Sequence, residues 1–235
     1  MTSEASPLAG ARESVFFDLD GVLIRSHLAI LRCINETLNA NGLPTFAAAE
    51  GVAIIGSPVK AVFAQVIASV GGDDAGVEQC VAGFRRAYQI SYMDGTTLQP
   101  GMHELVEETA RRVPIAVATT KPVVTANAIL SELGVRQFFT VVAGPAASAD
   151  GENKETTLAR AVDELGRAGA TRIHVRKSLM VGDRYHDIDA ARANGLPVVA
   201  VLWGYGSREE LAVADGLVER PGELDQIIHY GRPVP

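Results

Sequence analysis

Apolar and polar positions change rhythm twice along this chain. Val15, Phe16 and Phe17 form an unbroken apolar run, which predicts a strand buried on both faces. It ends in Asp18, Leu19, Asp20 and Gly21. The spacing then becomes helical. Leu28, Leu31, Ile34 and Leu38 predict a helix that Gly42 and Pro44 end. Short helical pieces follow around residues 46–54, and a break at Gly56-Ser57-Pro58 precedes a helix over 59–70. After a turn at 71–74, residues 78–93 are again helical, with Val81, Phe84, Tyr88 and Tyr92 on one stripe that reads as core. Beyond residue 95 the rhythm alternates. Strands are predicted over 114–119, 138–142, 179–182 and 198–202. Between and after them come helices over 102–112, 123–134, 155–166, 186–194 and 209–214, and the segment 224–229 closes the chain. Residues 143–153 read as a loop, and 167–177 as a spacer in which 173–175 suit a short strand.

Such alternation predicts an α/β fold, a doubly wound parallel sheet built from residues 14–24 and 96–235. Residues 25–95 read as an all-helical domain inserted after the first strand, joined through linkers at 23–26 and 94–100 that suit a hinge. Residues 1–13 are rich in Ser, Ala and Pro and read as a disordered tail.

Composition narrows the function classes. The chain has 235 residues, 47% of them hydrophobic, enough for a full core. A net charge of −7 argues against a general nucleic-acid or anionic-membrane surface. No apolar run suits a membrane helix, and the first residues lack the apolar stretch of a signal peptide, so a cytoplasmic protein is expected. Cys33 and Cys80 lie in separate helical patterns without metal-ligand spacing and read as reduced, buried thiols. A monomer or homodimer fits this size. Only four of the 21 basic residues are lysines: Lys60, Lys121, Lys154 and Lys177.

Candidate chemistry sits at the strand ends, where open α/β sheets bind ligands. Strand side chains alternate faces, so Asp18 and Asp20 point the same way. Thr119 ends the 114–119 strand, Asp183 follows the 179–182 strand, and Asp187 lies one helical turn further on. Lys154 opens the helix after the 143–153 loop. Asp18, Asp20, Asp183 and Asp187 with Lys154 leave three net negative charges at one edge. Two like charges ~4 Å apart cost roughly 4 kcal/mol at an effective dielectric near 20. An all-oxygen cluster of this kind requires a hard divalent cation, Mg²⁺ above others, which typically bridges carboxylates to phosphate.

FFDLDGVL, VATTK, Lys154 and MVGDRYHD together resemble the four motifs of the haloacid dehalogenase (HAD) superfamily of phosphohydrolases, in the right order over residues 14–230. Ile55-Gly56-Ser57-Pro58, Pro100-Gly101, Thr119-Thr120-Lys121-Pro122 and LWGYGS at 202–207 resemble its phosphoglycolate phosphatase-like group, which carries a helical cap. The resemblance implies a Rossmann-like core and a Mg²⁺-dependent phosphatase of a small phosphorylated metabolite, phosphoglycolate by default. It implies Asp18 as nucleophile, forming an aspartyl-phosphate, and Asp20 as general acid and then base, its carbonyl also on Mg²⁺. Thr119 would hold phosphoryl oxygens by hydroxyl and backbone N–H, and Lys154 would neutralise nucleophile and phosphate. Asp18 and Asp183 would ligate Mg²⁺, with Asp187 orienting waters or Lys154. Thr120, Arg25 and Lys60 are candidate substrate contacts. Arg25 departs from the family, which often has an acidic residue there. Lys121, directly after the second motif, is within reach of a phosphate, but Lys154 fits the family pattern better; His186 reads as a solvated helix residue.

Asp20 argues against the dehalogenases, which lack the second Asp of the motif. It also argues against phosphonatases, which replace that Asp and use a cap lysine. Sugar-phosphate mutases keep both carboxylates and remain an alternative, as do nucleotides, sugar phosphates and biosynthetic intermediates as substrates. Two-component receiver domains share an acidic pair, a Thr and a Lys, but are about half this length and lack an insert. A non-catalytic binding protein on this fold is the other non-enzyme alternative.

Overall fold

β1 (Ser14–Phe17) is buried along its whole length, as an apolar run inside a parallel sheet should be. It leads into β2 (Ile24–Arg25), then α1 (His27–Ala40), α2 (Ala48–Ile54), α3 (Val59–Ser69), α4 (Asp74–Ser91) and β3 (Thr97–Leu98). The alternating part follows: α5 (Met102–Arg112), β4 (Ile115–Ala118), α6 (Val123–Glu132), β5 (Val141–Ala143) and α7 (Lys154–Ala168). It continues through β6 (Ser178–Gly182), α8 (Tyr185–Ala193), β7 (Val198–Val201), α9 (Arg208–Leu211), β8 (Gly216–Val218) and α10 (Pro221–Tyr230). The structure is a computed structural model and describes residues 6–56, 58–146, 152–169 and 173–231. The chain divides into two compact units, Met1–Ile24 with Leu98–Pro235, and Arg25–Thr97.

In the first unit six parallel strands take the order β5-β4-β1-β6-β7-β8. Phe17 stands opposite Val117 on one side and Val181 on the other. The chain steps outward from β1 through β4 to β5, then returns to the far side of β1 for β6. That reversal opens a crevice at the carboxyl ends of β1 and β6. Asp18 follows β1 directly and Asp183 follows β6 directly, so the topology places both at its rim. One sheet face, carrying Phe16, Ala116, Ala118 and Met180, packs on Leu158, Ala161 and Leu165 of α7 and Ile188 of α8. Phe17 faces the other way and meets Phe139 edge-on at 6.3 Å.

The second unit packs α1 and α3 on α4. Its core holds Ile34, Leu38, Phe63, Ile67, Val77 and Val81. Phe84 stacks on Tyr88 at 5.4 Å, so the aromatic stripe is core. Cys33 and Cys80 are free buried thiols. β2 and β3, one within each of the two linkers, pair as a two-stranded sheet.

Three expectations change. Residues 6–13 are packed rather than disordered: Leu8 is 1% exposed, and the N–H of Arg12 and of Glu13 donate to the carbonyls of Ile228 and Lys177 at 2.8 Å each. Residues 1–5 lie outside the described residues, as do Ser57, 147–151 and 170–172. The strand expected over 138–142 begins later, because Arg136–Phe138 closes a 3-10 turn first. Residues 173–175 form no strand; a 3-10 turn covers Val175–Lys177. β8 is an added edge strand, too short and glycine-led to show a period-two pattern.

The packed segment gives a stability test. Leu8 fills a site against β8, where a Cβ on Gly216 would lie 2.7 Å from its Cδ1. Leu8→Ala should lower unfolding free energy by about 2–5 kcal/mol in urea titrations. A loose tail would leave the midpoint unmoved.

Candidate active site

The DLDG turn is shaped by two needs of Gly21. Its φ of +93° lies in the left-handed region, and a Cβ there would sit 2.0 Å from Asp183 Oδ2. The turn thereby brings the carboxylate after β6 against the backbone after β1. Asp183 is fully buried. Its Oδ2 accepts the Tyr205 N–H at 2.7 Å, whereas Oδ1 is buried with no hydrogen-bond partner.

Asp187 uses both its oxygens. Oδ2 accepts the N–H of Asp183 at 3.0 Å and of Arg184 at 3.1 Å, capping α8. Oδ1 faces the Lys154 ammonium at 2.7 Å. A Cβ on Gly182 would lie 2.1 Å from Asp187 Cβ, so this approach also needs glycine. Lys154, the first residue of α7, spans the gap and pairs with Asp18 Oδ1 as well. Arg160 holds the chain before it by donating to the Gly144 carbonyl at 2.8 Å and to Glu152 at 2.6 Å.

Oxygens of Asp18, Asp183 and Asp187 all lie within 4.8 Å of one another. Burial pushes the Asp18 carboxyl up to about 7; Lys154 opposes the rise, and the charges of Asp187 and Asp20 add to it. Burial, with Asp18 and Asp187 nearby, also holds Asp183 well above the usual carboxylate range. For Lys154 burial works against the charge, but Asp18 and Asp187 outweigh it and raise the ammonium's pKa. Burial and mutual repulsion thus favour the neutral forms of Asp18 and Asp183. An orphaned buried oxygen on Asp183 beside Asp18 fits a hard divalent cation.

The structure brings Asp18, Lys154, Asp183 and Asp187 into one cluster and sets Asp20 beside it on the DLDG turn. Thr119 follows β4, next to β1, and is 1% exposed. Its backbone N–H donates to the Ala143 carbonyl at 3.0 Å. That corrects the expectation that this N–H serves a phosphoryl group; the hydroxyl proton is what Thr119 can offer. Thr120 is exposed. Arg25 lies exposed on β2, and Lys60 on α3 pairs with Glu78 at 2.5 Å.

Two features singled out in the sequence had no structural role assigned there. Lys121 is buried, with its Nζ 3.2 Å from Asp20 Oδ2. The segment after β7 is the other. Besides the Tyr205 N–H on Asp183, Trp203 Nε1 donates to the Val22 carbonyl at 3.1 Å and Gln99 donates to the Gly21 carbonyl at 3.0 Å. A Cβ on Gly204 would lie 2.3 Å from Asp183 Cβ, and one on Gly206 would lie 2.2 Å from the Asp183 carbonyl oxygen. The Gly-x-Gly spacing in LWGYGS was the available signal. His186 is half-buried, its ring tilted 38° to that of Tyr185, and burial lowers its pKa.

Comparison with known proteins places the chain in a family. The tyrosine-protein kinase PtkA of Mycobacterium tuberculosis is 32% identical over 204 residues, covering 86% of this chain and 66% of its own length, so this chain spans just under two thirds of that relative. A phosphoglycolate phosphatase of Xanthomonas campestris is 32% identical over 224 residues, covering 94% of this chain and 98% of that one. The crystal structure of a predicted phosphatase from Clostridium acetobutylicum superposes with a TM-score of 0.82 at 26% identity, covering 93% and 98% of the two chains. The family model for haloacid dehalogenase-like hydrolases matches residues 15–201, and the chain belongs to that family.

Proposed function

We propose that this protein is a Mg²⁺-dependent phosphomonoester hydrolase of a small phosphorylated metabolite, working through an aspartyl-phosphate on Asp18. The observation that carries the reading is the buried Asp18–Asp183–Asp187 cluster, crossed by Lys154, at the carboxyl edge of the sheet. A relative named phosphoglycolate phosphatase matched over 98% of its length supports it, as does a 5'-nucleotidase of Pseudomonas aeruginosa at 29% identity. Phosphoglycolate is the first substrate to test, with nucleoside monophosphates next.

In this reading Asp18 attacks phosphorus while Lys154 holds its carboxylate in place and faces the phosphoryl oxygens. The Thr119 hydroxyl donates to one of those oxygens. Asp20 gives a proton to the leaving oxygen, then takes one from the water that attacks the aspartyl-phosphate. Mg²⁺, held by Asp18, the Asp20 carbonyl and the unpartnered Asp183 Oδ1, would supply charge neutralisation of carboxylates and phosphate. Asp187 fixes Lys154 and the Asp183 backbone. Residues 25–97 serve as the substrate-selecting cap. The likeness to PtkA favours a second reading, in which a tyrosine hydroxyl replaces water as acceptor. Near-complete coverage of the phosphatase relative favours water.

Metal dependence carries a pH signature. Asp18 is raised from 3.8 to about 7 in the fold, so between those values the folded protein without metal holds a proton that the unfolded chain has released. Stability therefore falls as pH rises through that window, and a cation that favours the anion offsets the loss. EDTA should abolish hydrolysis and Mg²⁺ restore it. The Mg²⁺-induced rise in Tm should be larger near pH 8 than near pH 5. Full activity in EDTA, or a Mg²⁺ effect that shrinks as pH rises, contradicts the assignment.

The two carboxylates of the turn should separate in trapping experiments. Asp18→Asn should form no covalent intermediate. Asp20→Asn should still be phosphorylated by p-nitrophenyl phosphate, whose leaving group needs little acid help, and then stall. Mass spectrometry should place a hydroxylamine-labile phosphoryl group on the peptide containing Asp18. Phosphate on a different residue, or an intermediate in Asp18→Asn, overturns the roles.

A further inference from the structure

The DLDG turn presents two carboxylates, and the structure gives each its own lysine. Lys154 serves Asp18. Lys121 lies 3.2 Å from Asp20 Oδ2, with side chains 5% and 16% exposed. Lysine is almost never buried unless paired. Of the other two lysines in the chain, Lys60 and Lys177 have side chains 62% and 63% exposed. Both buried lysines therefore stand at this one sheet edge.

Lys121 is carried on a fixed turn. The Thr119 N–H bonds the Ala143 carbonyl, and the Lys121 N–H bonds the Thr119 hydroxyl oxygen at 3.1 Å. The Val123 N–H bonds the Pro145 carbonyl at 3.0 Å. Gly144 lies so close that a Cβ there would sit 2.4 Å from the Lys121 carbonyl oxygen. Arg160 in turn holds the Gly144 carbonyl at 2.8 Å. The residue-119 turn is thus seated on the end of β5 and on α7, the helix that supplies Lys154. One scaffold places both ammonium groups.

We propose that Lys121 is a positioning residue for Asp20, holding its carboxylate in the orientation from which it transfers protons. Resting on the aspartyl-phosphate reading above, the steps balance as follows. In the first, Asp18 oxygen bonds to phosphorus, the ester P–O bond breaks, and the Asp20 proton passes to the departing oxygen. In the second, water oxygen bonds to phosphorus, the Asp18–phosphorus bond breaks, and the water proton passes to Asp20. Lys121 gains and loses no proton in either. Its part is geometric: proton transfer requires the carboxyl within hydrogen-bond reach of the reacting oxygen, and an acidic side chain on a glycine turn has rotamers that leave that reach. A lysine acting directly on phosphate would slow all substrates alike. A lysine acting through Asp20 slows those that need a proton.

Lys121→Met, with melting curves to confirm folding, tests the distinction on two probes. With an alkyl phosphate, kcat/KM should fall by about 100-fold or more, within the range that general acid catalysis contributes. With p-nitrophenyl phosphate, phosphorylation of Asp18 in rapid-quench experiments should change by less than about threefold, while breakdown of the intermediate slows and phosphoenzyme accumulates. Lys121→Arg should recover part of the alkyl phosphate rate. In an Asp20→Asn background, Lys121→Met should add almost no further loss. If the Met variant does not fold, Lys121→Gln, of similar length and polarity, takes its place. Equal losses on both probes, no loss on either, or full additivity with Asp20→Asn overturns the proposal. Wild-type protein that forms no phosphoenzyme removes the underlying reading as well, which marks that failure off from the others.

Discussion

The structure is organised around charge crowding: carboxylates forced together, out of water, at the edge of a parallel sheet. Asp18, Asp183 and Asp187 approach within 4.8 Å with their side chains almost wholly buried. Each carboxylate needs compensation, and the fold supplies it in part. Lys154 bridges Asp18 and Asp187, backbone N–H groups hold Asp187 and one oxygen of Asp183, and Lys121 meets Asp20. The three clustered carboxylates outnumber the Lys154 ammonium that bridges two of them, an imbalance that suits a divalent cation. Burial, with like charges nearby, raises the pKa values of Asp18 and Asp183.

Holding such a cluster together demands backbone where side chains would collide. Gly21, Gly182, Gly204 and Gly206 each lie where a Cβ would come within 2.3 Å of Asp183 or Asp187. Trp203 and Gln99 tie the loop after β7 and the segment between β3 and α5 to the DLDG turn and the residues just after it. The buried strands fix the register beneath, with Phe17 flanked by Val117 and Val181. The sheet therefore carries the clustered carboxylates and lysines on short turns, the arrangement that preorganised electrostatics requires.

Much of this was legible in the sequence because the signals were local. Buried strands appear as apolar runs, and Asp18, Thr119 and Asp183 terminate three of them. Lys154 was legible through its place at the start of a helix after a loop. What was not legible depends on contacts between distant segments. Lys121 meets Asp20 only because β4 lies beside β1, a pairing of segments about a hundred residues apart. The Thr119 N–H is taken by β5, an edge whose register no periodicity announces. Leu8 and Arg12 sit in a Ser/Ala/Pro-rich stretch whose composition resembles a tail, yet the groove beside β8 and α10 gives them partners. Composition reports what a segment can do alone; packing decides whether it must.

The central claim is that the Asp18–Asp183–Asp187 cluster binds a divalent cation, with proton release from Asp18. Calorimetric titration of the metal-free protein with Mg²⁺ at pH 6, repeated in buffers of different ionisation enthalpy, measures this directly. The account predicts saturable binding accompanied by proton release, because the cation must displace the proton that Asp18 retains up to about 7. Asp183→Ala should abolish that binding. Absence of Mg²⁺ binding at millimolar concentration, or binding with no proton exchange, would contradict it.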